Sequence, residues 1–401
     1  MSLAVQIAWL ILFAWLFGAA ATLFVLATLR HLRPTKEAGL KGDDAPLVSV
    51  LVPARDEADR ILDACVRSIL AQDYGRFEVV AVDDRSTDAT PLILKRLADE
   101  DARLRVLSGA ETPPGWLGKP HALQQALAAS RGVWVLTTDA DVILHPSALR
   151  TAVAYARRHE ADAVTFVPLY EAETFWERVF VPTWGWAMLL YFPPLLMNLK
   201  AYPFALGLGG FFLVRREALA RVEGFARVRG EVVEDMRLAE QLRRAGARLR
   251  VEHAPELLRT RMYTSLRELW QSAARVWFAS TRFSLALSAF VVVWMFVMGI
   301  LPTLLAVVSA AMLAAGGDGV WAQLLAPASV AWALHVASLA AVSRRLGVPA
   351  RYALTVPVGW MLNCAVLVSS AASIKTGRGV RWRGREVYGQ GGGVRPPRMF
   401  G

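Results

Sequence analysis

The chain has little of what many soluble enzymes and binding modules are built on. Two cysteines, Cys65 and Cys364, stand far apart in 401 residues, so neither a disulfide framework nor a cysteine-rich metal site can be assembled. The histidines fall in no H-x-E or H-E-x-x-H pattern, which argues against zinc. No G-x-G-x-x-G follows the first predicted strand and no G-x-x-x-x-G-K-[ST] occurs, so a dinucleotide site and a P-loop are both unsupported. Charge is scarce as well: 20% of residues are charged against 55% hydrophobic. That excludes a disordered chain and is too apolar for an ordinary soluble enzyme. Among the charges, 45 Lys and Arg face 34 Asp and Glu, a net +11 that suits anionic lipid, a phosphorylated substrate or nucleic acid.

What is present begins with long uncharged runs. Leu3 to Leu29 holds no charge and is long enough as a helix to cross a bilayer. It is too long for the apolar core of a signal peptide, and no clear small-x-small cleavage site ends it. Arg30, Arg33, Lys36 and Lys41 follow, which puts that end in the cytoplasm. Phe283 to Ala315, Val320 to Val342 and Ala353 to Ile374 are three further uncharged runs. Three full crossings would leave residues 375–401 outside, yet that tail carries seven basic residues against Glu386, a net +6 that belongs inside. A re-entrant or interfacial segment, or a bend around Pro302, would reconcile the two. Val179 to Met197 is apolar too, but Pro182, Pro193 and Pro194 argue against a straight span. Its Trp184, Trp186 and Tyr191 suit either the headgroup boundary or a buried core helix.

Between the runs, apolar β-branched segments alternate with helical spacing. Strands are predicted at Leu47–Val52, Phe77–Val82, Arg103–Leu107 and Val133–Thr137, with helices at Ile61–Leu70, Thr90–Asp99 and Pro120–Ala129. That alternation indicates an α/β, doubly wound, mostly parallel sheet, in which ligands sit beyond the carboxyl ends of the strands. Polar clusters fall there: Arg55-Asp56-Glu57, Asp83-Asp84-Arg85 and Asp139-Ala140-Asp141. Two carboxylates at i and i+2 after a buried strand can converge on Mg²⁺ or Mn²⁺, which take oxygen ligands. Alone the pair fits turn chemistry equally well. The Gly207-Leu208-Gly209-Gly210 cluster reads as a place where backbones approach closely.

P-A-R-D-E after the first strand, V-D-D-R-S-T-D after the second, G-K-P-H-A-L at Gly118–Leu123, T-D-A-D after the fourth and Glu234-Asp235 together resemble the family 2 glycosyltransferases over residues 46–285. The likeness is to the membrane-anchored branch of ceramide glucosyltransferases and of hopanoid-associated and carotenoid glycosyltransferases. Pro113–Lys119, Leu269–Ser284 and Arg381–Tyr388 carry it. Asp56-Glu57 departs from the family's usual Asn-Glu, and Gln271, Arg275 and Trp277 are spaced Q-x-x-x-R-x-W rather than Q-x-x-R-W. The second departure disfavours a processive polysaccharide synthase.

The resemblance implies a GT-A fold and inverting transfer of a sugar from a nucleotide diphosphate donor, with Mg²⁺ or Mn²⁺. The expected acceptor is a hydroxyl or carboxyl of a membrane lipid of the hopanoid, carotenoid, sphingolipid or glycerolipid class; no nucleic-acid partner is expected. By motif, Pro53, Arg55, Glu57, Asp84, Lys119 and Asp139 would hold the donor, and Asp139 and Asp141 the metal. Asp235 would be the general base, with Glu234 supporting its loop. Arg275, Trp277, Arg383 and Arg385 would meet the diphosphate or the acceptor. The expected organisation is a membrane helix at 1–30, a cytoplasmic catalytic domain at 43–282 with an interfacial segment at 179–197, a hydrophobic region of three segments at 283–374 and a basic tail at 375–401. The expected location is a bacterial cell membrane. The competing reading without chemistry, a membrane scaffold with a lipid-binding tail, has no need for acidic clusters at strand ends.

Overall fold

The computed structural model describes residues 2–35, 45–382 and 385–388. Twelve strands are described: β1 (Val48–Ala54), β2 (Phe77–Asp83), β3 (Leu104–Ser108), β4 (Trp134–Thr137), β5 (Val142–Leu144), β6 (Ala163–Val167), β7 (Leu169–Tyr170), β8 (Phe212–Arg215), β9 (Leu249–His253), β10 (Leu258–Thr260), β11 (Val380–Trp382) and β12 (Arg385–Val387). The helices of the first half are α1 (Leu3–Thr28), α2 (Leu62–Leu70), α3 (Thr90–Glu100), α4 (Gly118–Ala129), α5 (Ala148–Arg158), α6 (Phe175–Tyr191) and α7 (Pro194–Met197). The second half holds α8 (Arg216–Arg221), α9 (Glu234–Arg244), α10 (Leu266–Ser280), α11 (Leu285–Met295), α12 (Leu301–Ala314), α13 (Gly319–Arg345) and α14 (Val356–Lys375).

The central sheet runs β3-β2-β1-β4-β8-β6-β9 and is parallel except at β8, which pairs antiparallel with both β4 and β6. Its strands are apolar on both faces because both faces are covered. Along β1 the pleat sends Val48, Val50 and Val52 to one side, where α2, α3 and α5 pack, and Leu51 to the other, where α4, α8 and α9 pack. The predicted strands and helices are present with ends shifted by one or two residues. The short sheet β5-β10-β7 is an addition to the strands read from the sequence, and β5 sits between the D-x-D turn and His145.

Among the described residues, four helical runs are long and apolar enough to cross a membrane: Leu3–Thr28, Leu285–Ala314, Gly319–Arg345 and Ala350–Lys375. Leu10, Phe13, Phe17 and Val307 stand exposed on their outer surfaces, as side chains facing lipid would. The run 285–314 bends through a π-helical turn at Phe296–Ile300, just before Pro302. Helix α6 keeps Pro182 inside it and is buried between α1, α13 and α14, with Trp186 stacked on Trp15 and its indole N–H donated to Thr22 Oγ1 at 3.0 Å. Just after α1 the chain joins the sheet: His31 bridges His253 in parallel and Leu32 N–H donates to the His253 carbonyl at 2.8 Å.

Helix α9 carries the Glu234-Asp235 pair at its first turn and is seated on the sheet by Leu238, Ala239 and Leu242. Leu242 is fully buried, so Leu242→Ala should cost about 2–5 kcal/mol. In detergent this should lower the thermal unfolding midpoint, whereas Arg244→Ala, at an exposed position on the same helix, should leave it in place.

Candidate active site

The site lies beyond the carboxyl ends of β1, β2 and β4, against α9. Both switch-point loops leave their strands through a left-handed residue: Asp56 at φ +49° and Arg85 at φ +56°. Asp tolerates that region better than most side chains because it bonds locally, and Asp56 Oδ1 accepts the Thr87 N–H at 2.7 Å. Asp56 therefore meets the demands an Asn would meet there. Arg55 donates to the Asp84 and Arg85 carbonyls at 2.6 and 3.1 Å, locking the two loops together. Asp84 is buried at the end of β2, 3.6 Å from Arg85 Nε.

Deeper in, Lys119 at the start of α4 is held between two carboxylates, 2.7 Å from Asp139 Oδ1 and 2.6 Å from Glu234 Oε1. Burial opposes its charge, but Asp139 and Glu234 outweigh that and raise its pKa. Burial pushes Glu234 up to about 7 even with Lys119 pulling it back. Asp235 is also raised by burial; Lys119 and two backbone N–H groups work in the other direction. Those donors fix its carboxylate: Gly209 N–H bonds Oδ2 at 2.6 Å and Met236 N–H bonds Oδ1 at 2.8 Å. A Cβ at Gly209 would stand 2.7 Å from Lys119 Nζ and 3.1 Å from Asp139 Oδ2, so a side chain there would push the ammonium off its carboxylates.

Asp141 faces a second cation. Arg60 lies 3.4 Å from Asp141, 3.1 Å from Glu268 at the start of α10 and 3.8 Å from Glu57. Among the described residues no three His, Cys, Asp or Glu side chains form a ready-made metal cage. Two carboxylates at the cavity wall still fit Mg²⁺ or Mn²⁺ that takes its remaining ligands from a diphosphate, since Mg²⁺ sites commonly use one or two carboxylates plus substrate oxygens.

One cavity of about 1280 Å³ collects Pro53, Arg55, Glu57, Asp84, Lys119, Asp139, Asp141, Glu234, Asp235, Arg275 and Trp277. Its far end is apolar, formed by Leu287, Phe290, Val291 and Trp294 of α11 with Trp184 and Leu190 of α6. Gln271 is exposed on α10. Arg383 lies outside the described residues, and Arg385 is in β12. Residue-by-residue reading missed Arg60, Glu268 and Tyr388. Glu268 had a signal, because Ser265-x-x-Glu268 is a helix-capping pattern and Ser265 Oγ does accept the Glu268 N–H; its bond to Arg60 had none.

Residues 49–232 match the model of Glycosyl transferase family 2. Similar curated proteins include a beta-monoglucosyldiacylglycerol synthase of Synechocystis sp., 33% identical over 176 residues, covering 41% of this chain and 36% of the relative. The Trichormus variabilis beta-monoglucosyldiacylglycerol synthase is 33% identical over 149 residues, 37% of this chain and 30% of the relative. The chain thus spans about a third of the length of these curated relatives. Among solved structures, the mannosyltransferase PcManGT from Pyrobaculum calidifontis in complex with GDP-Man and Mn²⁺ aligns with TM-score 0.53 at 21% identity, covering 92% of this chain and 98% of that one. That likeness is one of fold: a mostly parallel GT-A type sheet.

Glu234 takes up its proton near 7 in the folded chain and at the ordinary carboxylate value when unfolded. Ionised Glu234 therefore weakens the fold, by an amount absent below about 4.5, growing as pH rises and complete above about 7. Glu234→Gln should flatten that dependence, so thermal midpoints of variant and parent at pH 5, 6, 7 and 8 should diverge steadily over the window. Parallel curves would place the titration elsewhere.

Proposed function

We propose, from the premise that residues 49–232 are a family 2 glycosyl transferase domain, that the chain transfers a sugar with inversion from a nucleotide diphosphate donor to a membrane lipid. One observation carries this reading. A single cavity has the acidic cluster and Lys119 at one end and the apolar wall of α6 and α11 at the other, so a water-soluble and a lipid substrate can meet inside it.

In this reading the nucleotide lies along Pro53, Arg55, Glu57 and Asp84, and its diphosphate points to Lys119 and the D-x-D pair. Asp139 and Asp141 would hold Mg²⁺ or Mn²⁺, which supplies counter-charge to the leaving diphosphate. Binding a diphosphate beside Lys119 competes for the ammonium that Asp139 and Glu234 share. Asp235 accepts the proton of the acceptor hydroxyl as the acceptor oxygen bonds the anomeric carbon and the bond to the diphosphate oxygen breaks. Its carboxylate is oriented beforehand by Gly209 and Met236, and its raised pKa makes it a stronger base than an exposed Asp. Arg275 and Trp277, on α10, line the passage between the two ends.

The names of the cyanobacterial relatives put a glycerolipid first among the acceptors, ahead of hopanoid, carotenoid and sphingolipid. The basic residues after α1 support a catalytic domain on the cytoplasmic face, in this reading that of a bacterial membrane.

Mass spectrometry of total lipids from cells with and without the chain should show a new glycolipid, and its absence with every common nucleotide sugar would count against transfer to lipid. Asp235→Asn should leave donor binding intact and lower turnover by roughly 10²–10⁴-fold. An equal collapse of donor affinity would make Asp235 a binding residue. Asp141→Ala and EDTA should each abolish transfer; full activity in EDTA without divalent ions would remove the metal from the mechanism.

A further inference from the structure

The last apolar segment, residues 350–375, is long enough to cross a membrane, which would carry the tail away from the catalytic domain. Its contacts describe another path. At its start Arg178, in the first turn of α6, lies over the Tyr352 ring at 5.6 Å. At its end Ser370 Oγ accepts the Phe278 N–H of α10 at 3.3 Å, and Lys375 Nζ is 5.8 Å from the Phe278 ring. Both ends therefore sit on the catalytic domain.

Between them the segment packs against the other apolar helices. Trp360 donates its indole N–H to His335 Nε2 at 3.1 Å, ten residues, or about 15 Å of helix, before the end of α13 at Arg345. The same ring covers Gly299, where a Cβ would stand 2.3 Å from it. Four residues on, Cys364 meets Val292 and Met295, back toward the start of α11. The contacts thus start on α6 and return to α10 along a single unbroken helix, Val356–Lys375.

That return delivers the tail to the active site. The β11–β12 hairpin packs on α10, and Tyr388 behind it is buried, edge-on to Phe283 at 4.9 Å. Its hydroxyl accepts the Val232 N–H at 3.2 Å and donates to the Gly230 carbonyl at 3.1 Å. The clamped loop is the one that matters most. Its Arg229 carbonyl accepts the Leu117 N–H at 2.7 Å, two residues before Lys119, and its next residues are Glu234 and Asp235.

We propose that residues 350–375 are an interfacial segment that does not cross the bilayer, and that Tyr388, kept by it on the catalytic face, is the positioning residue that holds the 229–233 loop and so aims Asp235. This rests on the reading of Asp235 as base given above. The clamp itself does not, because it predicts loop order whatever the chemistry.

Tyr388→Phe in the full chain removes both hydrogen bonds and keeps the ring. Hydrogen exchange should speed up at residues 229–235 and nowhere in the sheet, with the thermal midpoint nearly unchanged. The turnover number should fall roughly tenfold to hundredfold while the donor KM stays within twofold, since small misplacements of a reacting group cost that much. Unchanged exchange in the loop overturns the clamp. Faster exchange with unchanged turnover, in a protein where Asp235→Asn is inactive, overturns the positioning role. If Asp235→Asn is as active as the parent, the base assignment fails instead, and exchange alone decides the clamp. For the path, single cysteines replacing Arg131 on the catalytic domain and Arg378 on the tail, in a chain with Cys65 and Cys364 changed to Ser, should react with an impermeant maleimide from the same side of sealed vesicles. Reaction from opposite sides makes the segment a full crossing and overturns the interfacial path.

Discussion

An ammonium shared by two carboxylates organises this molecule. Lys119 comes from the first turn of α4, Asp139 from the end of β4 and Glu234 from the first turn of α9, so one charge ties together three elements that the chain visits far apart. Glu234 is the buried member of the three, and as a carboxylate it could not sit there alone, because an unpaired buried charge is expensive. Their spacing is kept by the lack of a side chain at Gly209, and Gly209 in turn lends its N–H to Asp235. The base is thus oriented by the same packing that keeps the lysine paired.

Arg60 does for the second half of the site what Lys119 does for the first. Through Glu57, Asp141 and Glu268 it links the loop after β1, the D-x-D turn and the start of α10, the helix that runs on into the apolar region. Charge at the polar end of the cavity and helix placement at its apolar end are therefore mechanically joined. A ligand that draws Asp141 away from Arg60 changes what holds the first turn of α10.

The parts of this fold that could be read in the sequence share a physical cause. β1, β2 and β4 are covered on both faces, so they appear as unbroken β-branched runs, and the acidic clusters that end them mark the open rim of the sheet. β5, β7 and β10 are two or three residues each and leave no period to detect. The insertion of β8 antiparallel between β4 and β6 is a matter of tertiary pairing that local pattern does not carry. At the site, Asp84, Lys119, Asp139, Asp141, Glu234 and Asp235 were legible because they sit in motifs at strand and helix ends. Arg60 and Tyr388 were not, because each acts across a long stretch of sequence: Tyr388 Oη meets a loop 156 residues earlier.

The strand-like pairing of His31 and Leu32 with β9 has a consequence for rate. It welds the end of α1 to the sheet within two residues, leaving no slack between anchor and catalytic domain. With α1 in a bilayer, as proposed, the cavity mouth would be held at one height above it and could not swing to meet lipid in another vesicle or micelle. Encounter with the proposed lipid acceptor would then become a search in two dimensions, set by the lipid's mole fraction in the leaflet and its lateral diffusion. Diluting that lipid with inert neighbours slows the encounter even when its amount per volume is constant.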